Sequence, residues 1–107
     1  SLPRSSKFIE VMACWLAENQ INQNTTYIFH RVSEEIKCKI TEIEYLYNIE
    51  DLSRDFDNKK IQMNSIFKCK IKLSSSLFFD SYSENKETGS FILIDNNNLT
   101  VACCMII

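Results

Sequence analysis

Apolar and polar residues alternate along much of this chain. In SIFKCKIKL, residues 65–73, Phe67, Cys69, Ile71 and Leu73 fall on one side of an extended backbone, and Lys68, Lys70 and Lys72 fall on the other. The stretch EEIKCKITEIEYLYN begins the same way, with Ile36, Cys38 and Ile40 opposed to Lys37, Lys39 and Thr41. Its phase then slips, and Ile43, Tyr45 and Tyr47 become the apolar set, which predicts a bulge or bend near Thr41–Glu42. Residues 7–17 (KFIEVMACWLA) and 25–31 (TTYIFHR) are rich in β-branched and aromatic residues and read as strands. Residues 90–95 (SFILID) and 99–106 (LTVACCMI) read as a hairpin around Asn96–Asn98, with asparagine in the role glycine usually takes. Between these lie a leader or linker over 1–6, an Asn-rich turn over 18–24, a polar middle over 48–60 with room for a short helical turn, and a loop over 74–89.

Six short strands, tight turns and no sustained helical period predict an all-β barrel or sandwich. At 107 residues the chain is one domain, taken as 7–107, with no second domain or repeat. The net charge of -2 argues against a dedicated nucleic-acid binder. No apolar run approaches membrane-spanning length and no signal peptide is visible. The chain begins with Ser1, which points to excision from a longer protein. A single glycine and a single proline leave the turns to Asn22, Asn24, Asn48, Asn58, Asn96, Asn97 and Asn98, since Asn tolerates the left-handed backbone that turns demand.

The candidate chemistry is sparse. The five cysteines are odd in number and contain no C-x-x-C pair, so they read as small hydrophobes in a reducing cytoplasm rather than as zinc ligands. One glycine excludes a phosphate-binding loop. His30 sits within an alternating strand, with no nucleophile-elbow sequence present, and reads as a surface or interface residue. Asp51–Asn58 faintly resembles a calcium loop but lacks its central glycine and terminal glutamate, and reads as a solvated loop with Asp51 near a helix start. The Lys68, Lys70 and Lys72 row reads as a solvated strand face.

Two features ask for more. The last two strands are apolar on both faces: Phe91 and Leu93 against Ile92 and Ile94, then Val101, Cys103 and Met105 against Ala102, Cys104 and Ile106. One face fills the interior, and the other needs a cover from a neighbouring domain or partner. The second feature is the loop FDSYSENKETG, which joins Phe79 and Tyr82 to a polar run ending at Gly89. Phe79 and Tyr82 either plug the barrel end or meet a partner.

The stretch FDSYSENKETGSFILID, residues 79–95, followed by LTVACCMI, resembles the C-terminal barrel of the GTP-hydrolysing large subunit of bacterial sulfate adenylyltransferase, within the elongation-factor-Tu-like translational GTPases. KFIEVMACWL, TTYIFHR, ITEIEYLYNIEDL and MNSIFKCKIKLSSSLFFD follow in the order of that domain. The resemblance implies a six-stranded antiparallel Greek-key barrel, the third domain of a three-domain GTPase. It implies a noncatalytic domain with no cofactor or metal of its own. GTP and Mg are expected in an N-terminal GTPase domain and ATP on a small catalytic subunit. The whole would make adenosine 5'-phosphosulfate and pyrophosphate from ATP and sulfate, coupled to GTP hydrolysis; in some relatives an adenylylsulfate kinase follows the barrel. The partners implied are the GTPase domain and second barrel of the same subunit, and the small subunit. Tyr82, Glu84, Asn85, Thr88 and Gly89 are the candidate interface or loop-ordering residues. The chain departs from the family at Ala102 and Cys104, where glycine is usual, and in INQNTTY, which replaces a Pro-Gly turn.

Two other classes stand beside this one. An RNA- or factor-binding barrel of another translational GTPase would show salt-sensitive tRNA binding. A metal or redox module using Cys103 and Cys104 is disfavoured, because adjacent residues on a strand point to opposite faces.

Overall fold

A computed structural model describes residues 4–32 and 34–107. Seven strands follow one another: β1 (Arg4–Trp15), β2 (Tyr27–Arg31), β3 (Glu34–Asn48), β4 (Ser53–Asp55), β5 (Ile66–Phe79), β6 (Ser90–Ile94) and β7 (Thr100–Ile106). Their order in the sheet is β2-β6-β7-β1-β5-β3-β4, and β2 also pairs with β3. All pairings are antiparallel. The extra pairing closes six strands into a barrel and leaves β4 attached to β3. Among the described residues no helix is long and apolar enough to cross a membrane.

The alternation explains the core. Val11, Phe29, Phe67, Cys69, Ile71 and Leu93 point inward and are fully buried. Phe29 stacks on Phe91 with ring centroids 4.3 Å apart. Trp15 closes one end, edge-on to Tyr27, and its indole N–H donates to the Asn19 carbonyl at 2.9 Å, so a large buried ring keeps its polar group satisfied.

The expected phase slip in β3 is present, and it is double. The β3–β5 register shifts between Ile40 and Glu42 and again between Ile43 and Tyr45. The first bulge keeps Ile43 in the core, and the second sends Tyr45 outward while Leu46 packs against the core. Tyr45 and Tyr47 therefore do not share a face with Ile43. Tyr45 is nevertheless only 8% exposed, because Phe56 packs on its ring at 5.1 Å and the Arg54 guanidinium lies 5.3 Å above it. A third irregularity, between Leu93 and Ile94 of β6, faces Thr100–Ala102 of β7, so that Val101 and Ala102 are both buried.

Three expectations are corrected. Residues 1–3 of the anticipated leader lie outside the described residues, but Arg4, Ser5 and Ser6 already pair with Phe79, Phe78 and Leu77. The loop expected over 74–89 therefore begins only after Phe79. The Ser74–Ser76 run interrupts the visible alternation, which resumes with Leu77 and Phe79 buried and Phe78 exposed. The polar middle contains β4 instead of a helical turn. There Asn48 and Asp51 accept the backbone N–H of Glu50 and Ser53, and Asp55 accepts those of Asp57 and Asn58. Such local bonds hold turns in place of a helix, and Leu52 takes a positive φ of 62°.

The β6–β7 turn behaves as its sequence predicts. Asn98 adopts φ 62°, while Asp95 Oδ1 accepts the N–H groups of Asn97 and Leu99 at 2.9 and 3.0 Å. Asn98→Gly should leave stability unchanged or slightly raised, whereas Asn98→Val should cost about 1–2 kcal/mol, the usual penalty for a side chain forced left-handed; urea unfolding of the two variants measures both.

Candidate docking loop and groove

The loop that follows β5 is built from its own polar side chains. Ser81, buried, donates its hydroxyl to Glu84 Oε1 at 2.9 Å. The Ser81 carbonyl accepts the N–H groups of Glu84 and Asn85 at 3.0 and 2.9 Å. Asn85 Oδ1 accepts from the N–H groups of Glu87 and Thr88 at 3.0 and 3.4 Å, and the Thr88 hydroxyl donates to Asp80 Oδ2 at 3.3 Å. Gly89 N–H donates to the Asn85 carbonyl at 2.9 Å, and the Gly89 carbonyl accepts from Ile106 N–H at 2.7 Å. Tyr82 N–H donates to the Ile106 carbonyl at 2.9 Å. The loop is thus folded back onto the end of β7.

Gly89 is where the fold leaves no room for a side chain. A Cβ there would collide with the Tyr82 backbone and come within 2.8 Å of the Asn85 carbonyl. Its φ is not positive, so close approach alone requires glycine.

Arg31 anchors the same loop, and the sequence reading missed it. Its guanidinium donates to the carbonyls of Thr88 and Phe78 and, through Nε at 2.8 Å, to Glu34 Oε1. It also lies 5.7 Å from the centroid of the Phe29 ring. One side chain ties the end of β2 to the end of β5, the start of β3 and the loop. A fork of five donors suits that task. The available signal was a lone arginine ending the strand TTYIFHR, shortly ahead of the acidic pair Glu34–Glu35.

The two features that asked for more meet in space. The loop supplies one wall of an open groove of about 1030 Å³, to which Tyr82, Lys86 and Glu87 contribute. Its floor is the outer face of β1, β6 and β7, where Met12, Cys14, Ile92, Cys103 and Met105 lie. His30 stands at the edge, with Nδ1 3.4 Å from Glu35 Oε1. Cys103 is exposed and Cys104 buried, so the adjacent pair does face opposite ways. Burial pushes the Cys38 and Cys69 thiols up to about 12 and raises Cys104 as well, which keeps these three protonated and inert. Among the described residues no three His, Cys, Asp or Glu side chains cluster together.

Elsewhere on the barrel two of the three lysines in the row are ion-paired. Lys68 Nζ lies 2.9 Å from Glu44 and 3.2 Å from Glu10, and Lys70 Nζ lies 3.4 Å from both Glu42 and Glu44. Lys72 sits 5.8 Å from the centroid of the Phe8 ring. The hydrogen bond from Lys68 lowers the Glu44 pKa, and the same bond raises that of Lys68.

The chain belongs to the GTP-eEF1A C-terminal domain-like family, whose profile matches residues 8–107. It is 34% identical over 116 residues to sulfate adenylyltransferase subunit 1 of Bacteroides thetaiotaomicron, covering 100% of this chain and 24% of that protein. It is 32% identical over 108 residues to the subunit 1 of Pseudoalteromonas atlantica, covering 100% of this chain and 23% of that protein. The bifunctional enzyme CysN/CysC of Mycobacterium tuberculosis is 28% identical over 107 residues, 98% of this chain and 17% of that enzyme. The chain therefore spans a quarter or less of the length of these relatives. The crystal structure of sup35 complexed with GDP superposes with a TM-score of 0.86 over 98% of this chain and 26% of that one, at 8% identity. That likeness is one of fold and agrees with the six-stranded antiparallel barrel.

Gly89→Ala should destabilise the barrel by about 1–3 kcal/mol, the usual range for overpacking, as read by chemical denaturation. Glu44 makes a second test. Its lowered pKa means its contribution is complete above the ordinary carboxylate value of about 4.3 and is lost as pH falls through the folded-state value. Glu44→Gln should lower stability by about 1 kcal/mol at pH 7, and the gap between variant and parent should close in acid; thermal melts from pH 7 to pH 2.5 follow it.

Proposed function

We propose that this chain is the noncatalytic C-terminal barrel of a sulfate adenylyltransferase subunit 1, holding the GTPase domain and second barrel of its own subunit in register with the small catalytic subunit. In that role it supports GTP-coupled synthesis of adenosine 5'-phosphosulfate from ATP and sulfate in the cytoplasm. GTP and Mg belong to the N-terminal domain and ATP to the small subunit. The observation that carries the reading is the joint of loop and groove. A hydrogen-bonded loop bearing Tyr82, folded onto β7, borders an apolar outer face that an isolated domain has no reason to keep. The relatives' names supply the parent, and the match along the whole chain supports the placement.

The residues divide by role in this reading. Gly89, Asn85, Glu84 and Thr88 hold the loop in shape, and Tyr82 presents a half-buried ring to the partner. The ion pairing of Lys68 and Lys70 weighs against the RNA-binding alternative, since phosphate contact needs unpaired positive charge.

Calorimetry of the purified chain with the small subunit from the same source tests the proposal. The expected result is saturable binding that Tyr82→Ala weakens about tenfold, a loss of about 1.4 kcal/mol, without lowering the melting temperature. Absence of binding sends the small-subunit role to other parts of the parent. GTP hydrolysis or adenylylsulfate synthesis that copurifies with the chain alone overturns the noncatalytic assignment.

A further inference from the structure

The floor of the groove carries four sulfur-bearing residues as two facing pairs. Met12-Ala13-Cys14 on β1 runs antiparallel to Cys103-Cys104-Met105 on β7, and the register sets Cys14 opposite Cys103 and Met12 opposite Met105. All four side chains line the same groove. Cys103 is exposed, Cys14 half-buried and Met105 42% exposed, so the array is open to solution.

The ladder fixes what such a pair can do. Leu16 N–H donates to the Val101 carbonyl at 2.8 Å and Ile107 N–H to the Glu10 carbonyl at 2.9 Å. Bonded and unbonded pairs alternate along an antiparallel ladder. Stepping two residues at a time from those two pairs makes Met12–Met105 and Cys14–Cys103 bonded pairs, with Cα atoms about 5.5 Å apart. Facing Cβ atoms in such pairs lie at the wide end of about 4.5–5.5 Å. A relaxed disulfide needs roughly 3.5–4.5 Å, so a direct S–S bond would strain the strands. A cation held between two thiolates at about 2.3 Å from each suits the wider gap. The neighbouring methionines lie two residues along each strand, about 6.7 Å away, within reach of a flexible thioether.

We propose that Cys14 and Cys103, with Met105 and Met12 completing the sulfur set, form a binding site for a soft monovalent cation, cuprous or silver. Thiolates and thioethers select a soft ion over magnesium or calcium, and the thioethers, which are not among zinc's usual ligands, favour a cuprous or silver ion over zinc. Tyr45 donates its hydroxyl to Met12 Sδ at 3.8 Å, which orients that thioether and makes Met105 the freer of the two. Binding releases the two thiol protons to solvent and changes no oxidation state. Affinity therefore rises with pH. The other three thiols are sealed in the core and take no part. The site does not depend on the parent enzyme assigned above, although an ion in the groove and a partner pressed against it would compete.

The reduced chain, handled without oxygen, is titrated with Cu(I) against a colorimetric Cu(I) chelator and, separately, with Ag(I). The expected result is one tightly held ion per chain, uptake that protects two of the five thiols from a disulfide reagent, and release of two protons. Cys14→Ser and Cys103→Ser should each weaken binding by at least about 100-fold, the upper end of what loss of a mere outer-shell partner produces. Met105→Leu should weaken it less but measurably. Circular dichroism checks that the variants fold. Equal binding by the Cys14→Ser/Cys103→Ser double variant overturns the site, and unchanged affinity in Met105→Leu overturns the four-sulfur set.

Discussion

The five residues of β2 all pair with β3 on one edge, and Ile28, Phe29 and His30 pair also with β6 on the other. Without them the remaining strands would form an open sheet whose inward face, from Trp15 to Leu93, has nothing to close over it. Closure places Tyr27 and Phe29 inside and brings Arg31 to the rim, where its guanidinium meets carbonyls from β5 and the loop. The position of the groove wall thus follows from a short strand distant from it in sequence. Backbone carbonyls at a barrel rim need donors, and one planar cation supplies several at once.

Much of the barrel was legible in the sequence because its strands are half-buried, and period-two alternation records which side faces inward. SIFKCKIKL and the Asn96–Asn98 turn are read directly. The pattern failed where pairing, not burial, decides the element. Ser74–Ser76 have no apolar face, yet they continue β5 between two well-marked stretches. β4 is three residues long and exposed throughout, so no periodicity could reveal it. The second bulge in β3 was hidden for a different reason. Tyr45 is as apolar as a core residue, and only the unrecognised cover of Phe56 and Arg54 explains its place outside.

The site divides in the same manner. The loop residues stand out by composition, and the geometry gives Glu84, Asn85, Thr88 and Gly89 definite bonds or contacts. Arg31 and the facing of Cys14 with Cys103 depend on register between strands far apart in the chain. A single sequence does not contain that register. Adjacent Cys103 and Cys104 drew notice as a pair, but neighbours on a strand diverge, and the partner that matters comes from across the ladder.

Closure also bears on how this protein behaves in a crowded solution. Among the described strands, β4 is the one with a neighbour on a single side. Its sequence is Ser-Arg-Asp, short and charged, a poor template for another chain to add to. A protein this rich in β-structure, with exposed Phe8, Phe56 and Phe78, would otherwise offer edges on which fibrils could grow. Here each of the six barrel strands has a neighbour on both sides, and the apolar groove attracts side chains without offering a strand to extend.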